Sequence, residues 1–228
     1  MNRPTIGVAV LCLLLASCAE KPATSTLSKS HATQVIPESA INTLLLTPTD
    51  LNKVMGTSTL VGKPPAGQMD DHRNLLPNLN CLGVWQIDES AIYGTTYTAV
   101  RKQTLRTPDV DQWDSLVAQS VVYYPKAEDA RAFFDTSTER WSKCANHHVN
   151  ITLNGQKLPK WSTGELARTD TELAMPITRG TGDQARSCQH VLRLATNLVI
   201  DVEACTPQSP VTQAAVIAEQ IETEARAV

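Results

Sequence analysis

Aromatic residues are scarce in this chain, basic residues are never clustered, and no apolar run reaches the length of a membrane span; each shortage removes a class of function. Only four Trp, four Tyr and two Phe occur in 228 residues, so a carbohydrate groove paved with aromatic rings would strip the core of them. Trp85, Trp113, Trp141 and Trp161 are therefore expected in the core. Lys and Arg total 20 against 23 Asp and Glu, a net charge of -3, and the basic residues stand singly among acidic ones. Gripping phosphate backbones needs grouped Lys and Arg that displace counterions, so nucleic acid is excluded as a partner.

Motif chemistry is equally thin. There is no His-Glu-x-x-His and no Gly-x-Ser-x-Gly, and Gly180-x-Gly182 lacks both a third glycine and a following helix. His147 and His148 are adjacent, so in a strand they point to opposite faces and do not share an ion. No cofactor, metal site or catalytic residue is expected.

What is present begins with Leu15-Ala16-Ser17-Cys18, small residues running into a cysteine after Arg3 and the apolar stretch Ile6 to Ala16. That layout is a secretory signal, and the stretch falls short of the about 20 apolar residues that span a bilayer. Residues 1–17 are expected to be removed and Cys18 to be lipidated, which anchors the protein on the extracytoplasmic face of the cell membrane. From Cys18 onward the charges are 19 basic against 23 acidic, a balance of -4. Residues 18–37 are small, polar and aperiodic, a flexible tether, and 38–228 form one domain with ample core.

Six cysteines occur. Cys12 leaves with the signal and Cys18 takes lipid, leaving Cys81, Cys144, Cys188 and Cys205 for an oxidising compartment. Ser187 to Ala195 and Leu198 to Cys205 read as a hairpin turning at Thr196-Asn197, where Asn tolerates the left-handed conformation. In that register Cys188 faces Cys205 at a non-hydrogen-bonded position, within disulfide reach. Cys81 then pairs with Cys144 by elimination.

Further elements follow from period and punctuation. Ala40 to Leu46 predicts a short helix, and a second is capped by Thr47, opened by Pro48 and stopped by Gly56. Thr57 to Asn80 is a long loop whose Asp70, Asp71 and His72 read as a solvated charge cluster. Cys81 to Ile87, Tyr97 to Arg106 and Leu116 to Tyr124 carry β-branched and aromatic residues and predict strands. A helix over 127–143 puts Ala130, Phe134, Ser137, Trp141 and Cys144 on one inward face. His147 to Leu153, Ser162 to Thr169 and Thr171 to Thr178 predict further strands, with a hairpin turn at Asn154-Gly155 and another turn at Gly180-Thr181-Gly182. A terminal helix over 210–225 shows the stripe Val211, Ala214, Ala215, Ala218 and Ile221.

The hairpin has two unlike faces. Val191, Ala195, Leu198, Ile200, Val202 and Ala204, interrupted by Gln189 and Arg193, mark the core side. His190, opposite Glu203, and Asp201 lie on the other, which reads as an open polar floor for a ligand, with Tyr123 as a further candidate where Tyr123 and Tyr124 straddle the sheet. An ordinary solvated face with a cross-strand ion pair is the plainer reading of the same residues.

The anchored start, Asp50-Leu51 to Met55-Gly56, Cys81-Leu82-Gly83, Val121-Val122-Tyr123-Tyr124-Pro125 leading into Ala130 and Phe133, Trp141-x-x-Cys144, and the Cys188 and Cys205 hairpin together resemble a known family. It is the extracellular sensor domain of mycobacterial receptor Ser/Thr kinases of the PknH type, a module that stand-alone lipoproteins also carry. The resemblance implies an α+β fold, a single domain whose antiparallel sheet is packed by helices, with two disulfides in the pairing above and a cleft for a small ligand. It implies sensing, not turnover. Lacking the receptors' kinase, this chain is not expected to signal inward alone. The functional expectation is capture of an unknown small ligand or cell-envelope component. An envelope protein partner docked without any small ligand is the alternative, and a hydrolase the least favoured.

Overall fold

The computed structural model describes residues 35–153 and 155–228, within a unit spanning Thr33–Val228. Residues 1–17, Cys18 and most of the expected tether lie outside the described residues, as does Asn154. Ile36 is buried, and its backbone N–H and C=O both bond the side-chain amide of Asn197, at 2.8 and 3.0 Å. The packed domain thus takes in Ile36, two residues ahead of the expected boundary.

In chain order a 3-10 turn (Glu38–Ala40) runs into α1 (Ile41–Leu44), followed by α2 (Pro48–Met55), β1 (Val61–Gly62), α3 (Leu79–Trp85), α4 (Ser90–Tyr93), β2 (Ala99–Thr107) and β3 (Ser115–Tyr123). Then come α5 (Ala127–Cys144), β4 (His148–Val149), β5 (Thr152–Leu153), β6 (Gln156–Lys157), β7 (Trp161–Thr163), β8 (Ala167–Arg168), β9 (Glu172–Arg179), β10 (Arg186–Ala195), β11 (Leu198–Thr206) and α6 (Gln213–Ala225). The main sheet is antiparallel, ordered β1-β2-β3-β11-β10-β9-β7-β4 with β8 against β9. β5 and β6 form a separate hairpin, with Gly155 at φ 78° in its turn.

Local signals account for most of this. Thr47 accepts the N–H of Asp50, and Gly56 ends α2 in the left-handed conformation. α5 buries Ala130, Phe134, Ser137, Trp141 and Cys144, the face its spacing predicts. The hairpin register pairs Cys188 with Cys205 and His190 with Glu203. Thr196 adopts the positive φ of its turn; Asn197 instead turns inward, its amide also donating to the Tyr124 carbonyl.

Some expected elements are overturned: 147–153 and 162–169 each break into two short strands, β4 with β5 and β7 with β8, and Cys81 to Ile87 is not a strand at all. Leu79–Trp85 is helical, with Asn78 accepting the N–H of Asn80 at its start and Cys81, Leu82, Val84 and Trp85 buried. Their spacing of one, three and four is a helical stripe, and that periodicity wins over the β-propensity of Val84 and Trp85.

Helices cover both sheet faces, making three layers. On one side α1, α2 and α6 pack on Val117, Val121, Val191, Leu198, Ile200 and Val202, and Ile217 joins the expected stripe of α6. Gln189 and Arg193, the polar interruptions of this face, find partners on α6: Gln189 accepts the Ala215 N–H, and Arg193 bonds Glu222 at 2.9 Å as well as Glu172 on β9. On the other side α3, α4 and α5 cover a core that includes all four tryptophans. Both disulfides belong to this second layer: Cys81–Cys144 joins α3 to α5 with Cα atoms 5.3 Å apart, and Cys188–Cys205 crosses the hairpin at 4.0 Å.

Candidate functional site

His190, Asp201 and Glu203 share one sheet face, but it is not the open floor expected from sequence. They are 0, 3 and 5 % exposed, roofed by α3 and α5. A sheet edge or single hairpin would leave that face wet, whereas here two helices stapled by Cys81–Cys144 close over it. Tyr123 does not join them. It pairs with Leu198 and packs in the α6-side core, because residues of β3 alternate faces and its parity is opposite to that of Ser120, the partner of Asp201.

The buried cluster is a connected network. His190 Nε2 donates to Asp201 Oδ1 at 2.6 Å, and Nδ1 donates to the Val84 carbonyl of α3 at 2.8 Å. A carbonyl can only accept, so Nδ1 carries a proton, and the carboxylate beside Nε2 favours a second one there and with it the imidazolium form. Burial opposes that charge, but the Asp201 carboxylate, its hydrogen bond and the nearby Glu203 outweigh it and raise the His190 pKa. Asp201 Oδ2 accepts the Tyr93 hydroxyl at 2.7 Å and the Asp88 N–H at 3.1 Å. The Trp141 ring lies 4.6 Å from the imidazole.

Asp88 sits in the turn between α3 and α4 at φ 47°. Its carboxyl bonds Lys102 at 3.0 Å, and burial raises its pKa to about 7 against the pull of that lysine. Lys102 also bridges to Asp70 at 2.6 Å, and His72 bonds Glu89, itself 1 % exposed. The long loop before α3 is therefore pinned to the buried turn through Asp70 and His72, which corrects the expected solvated cluster. Asp70 and Asp71 are themselves exposed, as expected, with Asp71 paired to Arg73.

Glu203 stands apart. Burial pushes its carboxyl up to about 7 despite His190 and Arg179. Among the described residues no N–H or O–H donor reaches it; its sulfur neighbour Cys205 is tied up in the disulfide. The same bond removes Cys188 and Cys205 as ligands, although they and Glu203 otherwise cluster tightly enough to hold a metal. Glu203 borders a cavity of about 80 Å³ whose walls include Asp88, Trp161, Trp113 and Arg179.

Trp113 and Arg179 also line a groove of about 580 Å³ that opens outward. Three loops wall it: Asp111 to Asp114 after β2, Lys157 to Lys160 after β6, and Gly180 to Arg186 between β9 and β10. They are bonded to one another. The Gly180 N–H donates to the Lys160 carbonyl at 2.7 Å, and Arg186 donates to the Trp113 carbonyl at 3.2 Å and to Asp114 at 2.7 Å. The Arg179 guanidinium lies 5.0 Å from the ring centroids of both Trp113 and Trp161.

Sequence reasoning missed Asp88, Tyr93, Lys102 and the Arg179 pair of tryptophans. None carries a local motif. Only α3, whose helical stripe was readable, hinted that something covers the polar hairpin face.

A family model for the PknH-like extracellular domain matches residues 36–223. This chain belongs to the PknH-like extracellular domain family. The PknH-like domain is 32 % identical over 173 residues to the serine/threonine-protein kinase PknH of Mycobacterium bovis, and equally to that of Mycobacterium tuberculosis. Those matches cover 75 % of the chain but only 28 and 27 % of the kinases, so it spans about a quarter of their length. The crystal structure of the extracellular domain of PknH from Mycobacterium tuberculosis superposes with a TM-score of 0.77 at 30 % identity, covering 86 % of this chain and all of that one. Family and fold agree with the α+β reading, and an extracellular-domain family puts the PknH-like domain on the extracytoplasmic side. Among the described residues no helix is long and apolar enough to cross a membrane.

Proposed function

We propose that this PknH-like domain is a lipid-anchored, extracytoplasmic, sensor-type module that binds a small molecule or cell-envelope component without catalysis. The observation that carries this reading is the groove of about 580 Å³, which falls within the usual size of ligand sites and is walled by three mutually bonded loops. Anchoring rests on the lipobox-like Leu15 to Cys18 and on the family's extracellular position. His190 and Asp201 act structurally, holding α3 over the sheet, and Glu203 borders the small cavity that shares Trp113 and Arg179 with the groove.

Against turnover stands the state of His190, the one buried histidine among the described residues. Both ring nitrogens of His190 are occupied and the ring is fully buried, so it is not free to take a proton from a nucleophile. Against a docking-only role, the exposed large apolar residues among the described residues are few and scattered along the chain, at Val35, Val61, Leu79, Val110, Val216 and Val228. The test is native mass spectrometry of envelope-extracted protein beside refolded protein. A co-purifying mass lost on refolding, whose re-addition raises Tm, is expected; none in either sample, with Tm flat across envelope metabolites, refutes capture.

A further inference from the structure

We propose that the groove takes the anionic oxygen group of its ligand, a phosphate or carboxylate, and that Arg179 is the residue that grips it. This rests on the groove being the ligand site.

Charge selects the class. Lys157, Lys160, Arg179 and Arg186 line the groove against Asp111 and Asp114. Arg186 is bonded to Asp114, and Asp111 lies 3.6 Å from Arg106. Among the described residues Lys157, Lys160 and Arg179 have no carboxylate within ion-pair distance. Three cations therefore converge in a chain whose net charge is -3. Such a patch repels cations and favours anions.

Geometry selects the gripping residue. The guanidinium of Arg179 lies over the rings of both Trp113 and Trp161, 5.0 Å from each centroid, two cation–π contacts that hold it in place. Among the described residues none of those donors meets a protein acceptor, although burial pulls the group's pKa down and so disfavours an unpaired charge there. Glu203 lies on the inner side, without an ion-pair contact to Arg179, and its carboxyl is pushed towards the neutral form. A planar donor fork, held by two rings and without a protein acceptor among the described residues, suits a two-oxygen acceptor. The indoles are themselves 6 and 4 % exposed, so they serve the arginine and leave little ring for a sugar to stack on.

The experiment titrates the full chain in neutral detergent by calorimetry with glucose 6-phosphate, with glucose, and with dihexanoyl phosphatidylglycerol and dihexanoyl phosphatidylcholine. Glucose 6-phosphate or the phosphatidylglycerol is expected to bind about tenfold or more tightly than its uncharged or zwitterionic counterpart, weakening as salt rises. Arg179→Gln is expected to lose about tenfold or more of that affinity. The variant joining Lys157→Gln and Lys160→Gln, two exposed positions that leave the fold intact, is expected to lose about threefold or more. Preference for glucose 6-phosphate assigns a soluble phosphate as the source, and preference for phosphatidylglycerol a lipid headgroup. Equal binding of charged and uncharged probes, or an unchanged affinity in the lysine variant, overturns the proposal. If that happens while a neutral co-purified mass still raises Tm, ligand binding stands and only its anionic class falls; if no probe and no mass binds, both fail.

Discussion

The two faces of the sheet are built on opposite terms. Under α6 the strands present Val117, Val121, Val191, Leu198, Ile200 and Val202, and stability there comes from apolar area and close packing. Under α3 and α5 the neighbouring residues of the same strands are His190, Asp201, Glu203 and Ser120, all buried, flanked by both disulfides. A purely apolar layer tolerates small losses of volume. A buried charged layer tolerates the loss of a partner badly, because the remaining charge has no water to turn to. The second face also carries Trp113, Trp161 and Arg179 at its edge, so the demanding layer is the one next to the groove.

Ways to break that contrast can be ranked. The largest effect is expected from Asp201→Ala, which strands the His190 imidazolium and leaves Tyr93 Oη and the Asp88 N–H without their acceptor. A loss of about 3 to 5 kcal/mol is expected in denaturant melts, and a loss under about 1 kcal/mol would show that the network contributes little.

Next come the staples. Replacing Cys81 and Cys144 with Ser opens a 63-residue separation, and replacing Cys188 and Cys205 a 17-residue one. Chain entropy gives about 4 and about 3 kcal/mol, so the helix–helix bridge is expected to matter more than the bridge across an already paired hairpin. The opposite order of melting temperatures would count against that account.

Titration follows. Glu203 and Asp88 hold their protons to about 7 in the folded chain, against ordinary values of 4.5 and 3.8. The folded state therefore binds more protons than the unfolded one between those limits. Their contribution is complete below the ordinary values and is lost as pH rises through about 7; His190 and His72, also raised, act in the same direction. Tm is expected to be higher near pH 5 than near pH 8. Glu203→Gln should flatten that slope by on the order of 3 kcal/mol, and an unaltered slope would remove Glu203 as its source.

The smallest effect belongs to the apolar face. Ile217→Val on the buried face of α6 is expected to cost about 1 kcal/mol with an unchanged denaturant slope and no change in pH dependence.

Much of the architecture was legible because it is local. The five-residue stripe of α5, the cap and stop of α2 and the hairpin register that brings Cys188 to Cys205 each follow from spacing within one or two elements. The failures have a common cause as well. Residue type in Cys81 to Ile87 favours a strand while the period there is helical, and without that helix nothing covers the His190 face. Tyr123 was grouped with that face although its parity in β3 places it on the other.

By itself the sequence determined the hairpin register that joins Cys188 to Cys205 and the buried face of α5, each a matter of neighbours along one helix or across one turn, and left Cys81 with Cys144 by elimination. Only the tertiary structure decided that the polar hairpin face is interior, that Arg179 lies between Trp113 and Trp161, and that three distant loops wall one groove. Burial and charge pairing depend on which elements close over a residue, and no spacing along a chain encodes that.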